Sequence, residues 1–351
     1  MSTNNYYQAF LLARQCYDLD TLNLTCLEQT GTAAIKAGSL ADAKHYFHLW
    51  EKADSNNVYC LTQLATIYEN QKNLPKAIKY YSILKKMDEN NPLFYRKLGR
   101  LFRQAGEVGD AFKNYSFALA KNPHDLLSIQ GIGDMLIENR QAEAADSIYS
   151  IGLSIDSENP SMIFGLAKAK YMQQQYDSVV FVMMKTRGLV DLNTYYSRML
   201  GYSYLKVDSF DLAIRHLTLS ISDVASNENS YYYLARAYEK KEELKSALHY
   251  YQKAIDEGLS ESLGEYHRNM ARIHEKEDNL SEAIHHYKEA HRFSSLDEYL
   301  YYLARTCDIY YKDKNIAIRY YQKYIKSNHD IYDDYAKARS RYLKEQMHFV
   351  D

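Results

Sequence analysis

Residues 228–261 read ENSYYYLARAYEKKEELKSALHYYQKAIDEGLSE, and the spacing of apolar side chains within this stretch decides the fold. With Glu228 as position 1, Tyr231, Leu234, Ala235 and Tyr238 occupy positions 4, 7, 8 and 11, and Ala247, Tyr251 and Ala254 occupy 20, 24 and 27. Positions following i, i+3, i+4, i+7 make one apolar stripe on a helix, so the stretch predicts two amphipathic helices joined by a turn. Small residues at 8 and 20 allow the two backbones to approach, and aromatic residues at 11 and 24 fill the space beside them. Neither helix can bury its stripe alone, so each pair needs a neighbour on both sides.

The pattern recurs. Steps of 34 residues backwards from Glu228 give unit starts at 194, 160, 126, 92, 58 and 24 with no insertion. The unit from 92 is nearly complete, with Tyr95, Leu98, Gly99, Phe102, Ala111, Tyr115 and Ala118, and Pro123 at position 32, where it turns the chain towards the next unit. Two further units start near 264 and 297, with Met270, Ala271, Ala283 and Tyr287 in the first and Tyr301, Leu303, Ala304, Ala317 and Tyr321 in the second. Such a unit, aromatic or aliphatic, Leu, small and Tyr on one helix, then Ala, aromatic and Ala on the next, resembles the tetratricopeptide repeat. The resemblance implies an all-α, right-handed solenoid of stacked antiparallel helix pairs, a superhelix of nine repeats over residues 24–330.

Residues 1–23 are expected to form an N-terminal cap helix or the second half of a truncated repeat, because Ala9, Ala13 and Cys16 fall at positions 20, 24 and 27 of the frame. A trimmed start would leave room for a removed export signal, so the expectation is a soluble chain, cytoplasmic as it stands or periplasmic if such a signal preceded it. Residues 331–351, rich in charge, are expected to cap the other end. Repeat 5 departs most, with Lys170 at position 11, Val179 at position 20 and the run Val179, Val180, Phe181, Val182, Met183, Met184. A helix apolar around its circumference is either buried all round or docked on something. Burial through an altered repeat angle is the favoured expectation; a contact through Val180, Phe181 and Met184 with a partner or a second copy is the alternative.

Composition excludes several classes. The formal net charge of −2 lacks the basic surplus that phosphate binding needs, so nucleic acid is not expected, and no run approaches the length of a membrane span. Cys26 and Cys60 occupy equivalent positions in adjacent first helices, whose axes lie roughly 8–10 Å apart, beyond disulfide reach. All four cysteines, Cys16, Cys26, Cys60 and Cys307, are therefore expected as free thiols, which leans towards a reducing compartment. No phosphate loop, GxSxG or HExxH is present. Gly131 and Gly133 lie mid-helix, one of them at the close-contact position. His267 and His274 are two turns apart, roughly 10 Å, too far to share an ion, and with His285, His286 and His291 they are expected to be core or surface residues. No cofactor or metal is expected.

In tetratricopeptide proteins the first helices line the concave face through positions that include 5 and 9. Those rows here turn from polar in the N-terminal third to arginine and tyrosine in the C-terminal half: Arg198, Tyr202, Tyr232, Arg236, Arg268, Arg272, Tyr301 and Arg305, with Arg96 and Arg100 forming a second basic cluster in repeat 3. Arginine and tyrosine are enriched at interface hot spots. The alternative is that these charges pair with one another and with Glu239, Glu265, Glu275 and Asp308. The carboxylate clamp known in the family is not expected, because repeat 1 carries Glu28 and Thr32 and no Asn matches the arginines of repeats 3 and 8. The functional expectation is a non-catalytic scaffold that holds an extended peptide or partner helix, one with an acidic or carboxylate-bearing segment. Its rivals are a structural subunit, for instance of an envelope assembly, docked through the convex face or repeat 5, and an accessory domain of an enzyme.

Overall fold

The structure, a computed structural model, describes residues 3–186, 188–221, 227–258, 261–327 and 331–348, which form helices and short connections without a strand. Two compact units divide the chain at Gln174/Gln175. The first holds α1 (Thr3–Leu19), α2 (Leu24–Lys36), α3 (Leu40–Ala53), α4 (Val58–Asn70), α5 (Leu74–Met87), α6 (Pro92–Gln104), α7 (Val108–Lys121), α8 (Leu126–Glu138), α9 (Ala142–Ile155) and α10 (Pro160–Met172). The second holds α11 (Tyr176–Met184), α12 (Thr194–Lys206), α13 (Phe210–Leu219), α14 (Glu228–Lys240), α15 (Leu244–Glu257), α16 (Leu263–Lys276), α17 (Leu280–Ser294), α18 (Glu298–Tyr310), α19 (Asn315–Lys326) and α20 (Asp333–His348). In both units each helix packs on the next in sequence, and the units are all-α stacks of helix pairs.

Local chemistry sets the helix ends. Asparagines at 34-residue intervals cap the first helices: Asn23 accepts from the Thr25 and Cys26 amides, Asn57 from Cys60, Asn91 from Leu93, Asn159 from Met162 and Asn193 from Tyr196. Each satisfies amide donors that the first turn leaves without partners. Within the pairs, position 15 takes the left-handed conformation, at Gly38, Lys72, Gly106, Arg140 and Gln174 in the first unit and Asp208, Glu242 and Asp278 in the second. That residue ends the first helix and lets the following amide return to a carbonyl inside it, as Asn73 does to Tyr68.

The tyrosine at position 24 organises the core of the first unit. A Cβ on Gly99 would stand 2.9 Å from the Tyr115 ring and one on Gly131 2.5 Å from it, while Gly133 and Gly165 are held equally close to Tyr149. Each ring is thus clamped between position 8 of its own repeat and position 6 of the next, so Gly131 and Gly133 are both packing glycines. In the second unit Tyr251, Tyr287 and Tyr321 are fully buried at the equivalent place.

Two expectations are corrected. Cys16 and Cys26 form a disulfide, with Cα atoms 5.7 Å apart. Comparing Cys26 with Cys60 overlooked the helix before the first repeat: α1 packs directly on α2 and brings Cys16 to Cys26. Only Cys60 and Cys307 are free, and burial pushes their thiols up to about 12 and about 11. The argument for a reducing compartment falls with this bridge. The apolar run of repeat 5 is also not wholly buried. Val179, Val182 and Met183 face inward, but Phe181 is 68% and Met184 59% exposed, because a run of six consecutive residues passes right round the helix and cannot all face α12.

Candidate functional site

The charged rows obey a rule of one-repeat spacing. A carboxylate at position 12 of one repeat meets a cation at position 9 of the next and accepts from the tyrosine at position 24 of its own. Glu69 accepts from Tyr81 Oη at 3.1 Å and pairs with Lys97 and Arg100. Glu239 accepts from Tyr251 at 2.7 Å and lies 3.9 Å from Arg272, and Glu275 accepts from Tyr287 at 2.9 Å and pairs with Arg305 at 2.8 Å. Asp308 continues the series to Arg339 of α20 at 2.7 Å. Between repeats 3 and 4 the signs are reversed: Arg103 reaches Asp134 and Glu138, and Asp134 accepts from Tyr149 at 2.6 Å. At position 5, Arg96 pairs with Asp125 at 2.7 Å. A hollow of about 290 Å³ lined by Arg96, Arg100, Arg103 and Asp134 is therefore neutralised from within.

Two arginines on α12 and α14 break the rule. Arg236 stands at position 9 of repeat 7, but position 12 of repeat 6 is Leu205, so its Nη1 donates instead to Tyr232 Oη at 3.0 Å. Arg198 stands at position 5 of repeat 6, and the place that Asp125 fills for Arg96 is held by Asn227. Among the described residues neither guanidinium has a carboxylate within ion-pair distance. Arg268 of α16 is bonded to Tyr302 and keeps a buried Nε without a partner.

Tyrosines surround this pair. Tyr202 and Tyr233 have ring centroids 4.5 Å apart, Tyr232 lies 5.5 Å from Tyr233, and Lys206 stands 5.3 Å over the Tyr202 ring. Tyr232 accepts from Arg236 and donates to Glu265 Oε1 at 2.5 Å, which fixes its ring. Burial raises the Tyr232 and Tyr233 phenols, and for Tyr232 the bond to Glu265 adds to it, so both stay neutral donors near neutral pH. The surface can hold carboxylates through guanidinium forks and apolar groups against rigid rings.

Not every residue marked in the sequence reaches this surface. Tyr301 is 7% exposed and stacks on Tyr332 at 4.1 Å; the Tyr332 ring, just before α20, covers it and takes it into the core. Arg96, Arg100, Arg272 and Arg305 hold ion pairs, so the alternative of internal pairing describes them. The sequence reading missed Glu69, Asp125 and Arg339 as partners and Leu205 as the decisive gap. The 12-to-9 spacing across one repeat would have found Glu69, Arg339 and Leu205. The five histidines hold no joint donor set: among the described residues no group of three or more His, Cys, Asp or Glu is placed to bind a metal ion. No described helix is long and apolar enough to cross a membrane.

By sequence, no protein family and no curated protein matches this chain. Among solved structures it is similar to a tetratricopeptide repeat protein from Parabacteroides merdae, at 17% identity over 68% of this chain and 95% of that one, with a TM-score of 0.49. YrrB, described as a TPR protein with an unusual peptide-binding site, is similar at 17% identity over 50% of this chain and 91% of its own, with a TM-score of 0.46. The APC/C hetero-tetramer Cut9–Hcn1 is similar at 13% identity over 90% of this chain and 63% of that chain, with a TM-score of 0.43.

Proposed function

We propose that this tetratricopeptide-repeat chain is a non-catalytic scaffold that binds a carboxylate-bearing protein segment on the α12–α14 surface, with Arg198 and Arg236 as its cationic anchors. One observation carries the reading: Arg96, Arg100, Arg272 and Arg305 of the two rows have carboxylates supplied by the fold, whereas among the described residues Arg198 and Arg236, like Arg268, have none within ion-pair distance, and these two sit together among tyrosines. A half-buried guanidinium without a counter-ion has lost hydration that a phenol oxygen, as Tyr232 offers Arg236, restores only in part, and a bound carboxylate adds two parallel hydrogen bonds. Tyr202, Tyr232 and Tyr233 add rigid contact area at little entropic cost. Binding of this kind weakens as salt rises.

Selection of peptides from a random display library tests the reading and needs no named partner. The wild-type chain should enrich peptides with Asp, Glu or a free C-terminus, and Arg198→Glu/Arg236→Glu should lose them by tenfold or more while keeping its helicity. Equal recovery on both proteins would contradict it.

A further inference from the structure

The second helices of repeats 5 and 6 end early. α11 has 9 residues and α13 has 10, where α3, α5, α7, α9 and α15 each have 14. Position 27 at these two helix ends is Thr186 and Ser220, where the 14-residue helices carry Trp50, Leu84, Ala118, Gly152 and Ala254. Both hydroxyls are buried and donate to the carbonyl three residues back, Thr186 to Met183 at 2.7 Å and Ser220 to Leu217 at 2.6 Å, so each satisfies a carbonyl that the helix end leaves without an amide partner. The turn that a full-length α11 would lay against α12 and α13 is missing.

A cleft of about 650 Å³ is left between α11, α12, α13 and the 188–192 segment. That volume is in the range of small-molecule sites, roughly 300–1,000 Å³. Met183, Leu200 and Tyr204 form its buried floor, and Met184, Leu212 and Leu219 its exposed rim. The lining is chiefly aliphatic and methionine-rich, a surface that adapts to a flexible chain better than to a planar ring. Polar groups converge on α13. His216 stacks on Tyr204 and keeps a buried Nδ1 without a partner, and Arg215 has no carboxylate within ion-pair distance among the described residues. Asp191, on the far segment, repels an anion from its own side.

We propose that this cleft binds a fatty-acid-like amphiphile, its aliphatic chain on the methionine and leucine lining and its carboxylate at Arg215 and His216 Nδ1. The chemistry is shared by a free fatty acid and by a bilayer of acidic lipid, and the free acid is the ligand that a cleft of this volume, with its cationic groups on α13 alone, favours. This site is separate from the α12–α14 tyrosine surface and does not depend on its function.

Titration of the full chain with cis-parinaric acid, read by its fluorescence, tests the proposal. Saturable one-to-one binding is expected. Met184→Glu or Leu219→Arg, both at exposed rim positions that spare the core, should weaken it tenfold or more. Arg215→Glu should weaken the acid by about tenfold while leaving the affinity for an alcohol of equal chain length unchanged. Absence of saturable binding, or affinities unchanged in all three variants, would overturn the proposal. So would co-sedimentation with phosphatidylglycerol vesicles by a protein that leaves monomeric parinaric acid unbound, since that result assigns the surface to a bilayer.

Discussion

Single residues decide how closely the repeats approach. Gly165 exists because Tyr149 occupies the space of a side chain: a Cβ there would stand 2.2 Å from the ring. Gly165→Ala should therefore cost about 1–3 kcal/mol in urea unfolding. Gly109, in α7 with nothing near its Cβ position, should gain about 0.5–1 kcal/mol as alanine, since only backbone entropy changes there. The buried histidines carry a pH dependence. His267 and His286 touch through their Nδ1 atoms at 2.9 Å, and His274 stacks on His286. Burial lowers His267 from 6.5 to about 4 and His286 to about 3, helped in His286 by the neighbouring rings and opposed in His267 by Glu289. Both are depressed in the folded state, so between 6.5 and about 4 the unfolded chain binds more protons. The stability that these two rings contribute is fully present above pH 6.5 and falls as pH drops through 6.5 towards their folded-state values of about 4 and about 3. His267→Leu/His286→Leu should flatten the slope; an unchanged slope would mean that other groups set it.

At the scale of helices, the Cys16–Cys26 bridge ties α1 to α2. Closing so short a loop contributes roughly 2–3 kcal/mol, so reduction, or Cys16→Ser/Cys26→Ser, should speed amide hydrogen exchange in α1 while leaving α4 onwards unchanged. Helices and turns were legible in the sequence because each repeat restates them: the 4, 7, 8, 11 stripe appears again and again, and Lys72, Arg140 and Glu242 hold the same turn as Gly38. What the sequence concealed is what happens once. The disulfide joins an end helix to the stack, Tyr301 is covered by Tyr332 beyond the last repeat, and α11 and α13 stop early. A periodic frame predicts the average unit, and these departures arise from contacts outside it. The candidate surface was half legible: the arginine and tyrosine rows were visible, but their occupancy required pairings across one repeat, the 12-to-9 spacing that singles out Arg236 through Leu205 and the Arg96–Asp125 spacing that singles out Arg198 through Asn227.

For the molecule as a whole, much of the charge on the first helices serves to hold repeats in register. The position 12 to position 9 pairs act between neighbours, which is how a stack in which each repeat contacts only the next gains its stability. Against that background Arg198 and Arg236, which lack a carboxylate among the described residues and stand beside Tyr202, Tyr232 and Tyr233, make the strongest candidate for recognition. The most direct measurement is affinity capture from cells of the native host with three proteins in parallel: wild type, Arg198→Glu/Arg236→Glu, and the charge swap Glu239→Arg/Arg272→Glu, which preserves a ladder pair. The account predicts a partner that is retained by wild type and by the swap and lost from the first variant. A partner retained equally by all three would contradict it and move the search away from α12 and α14.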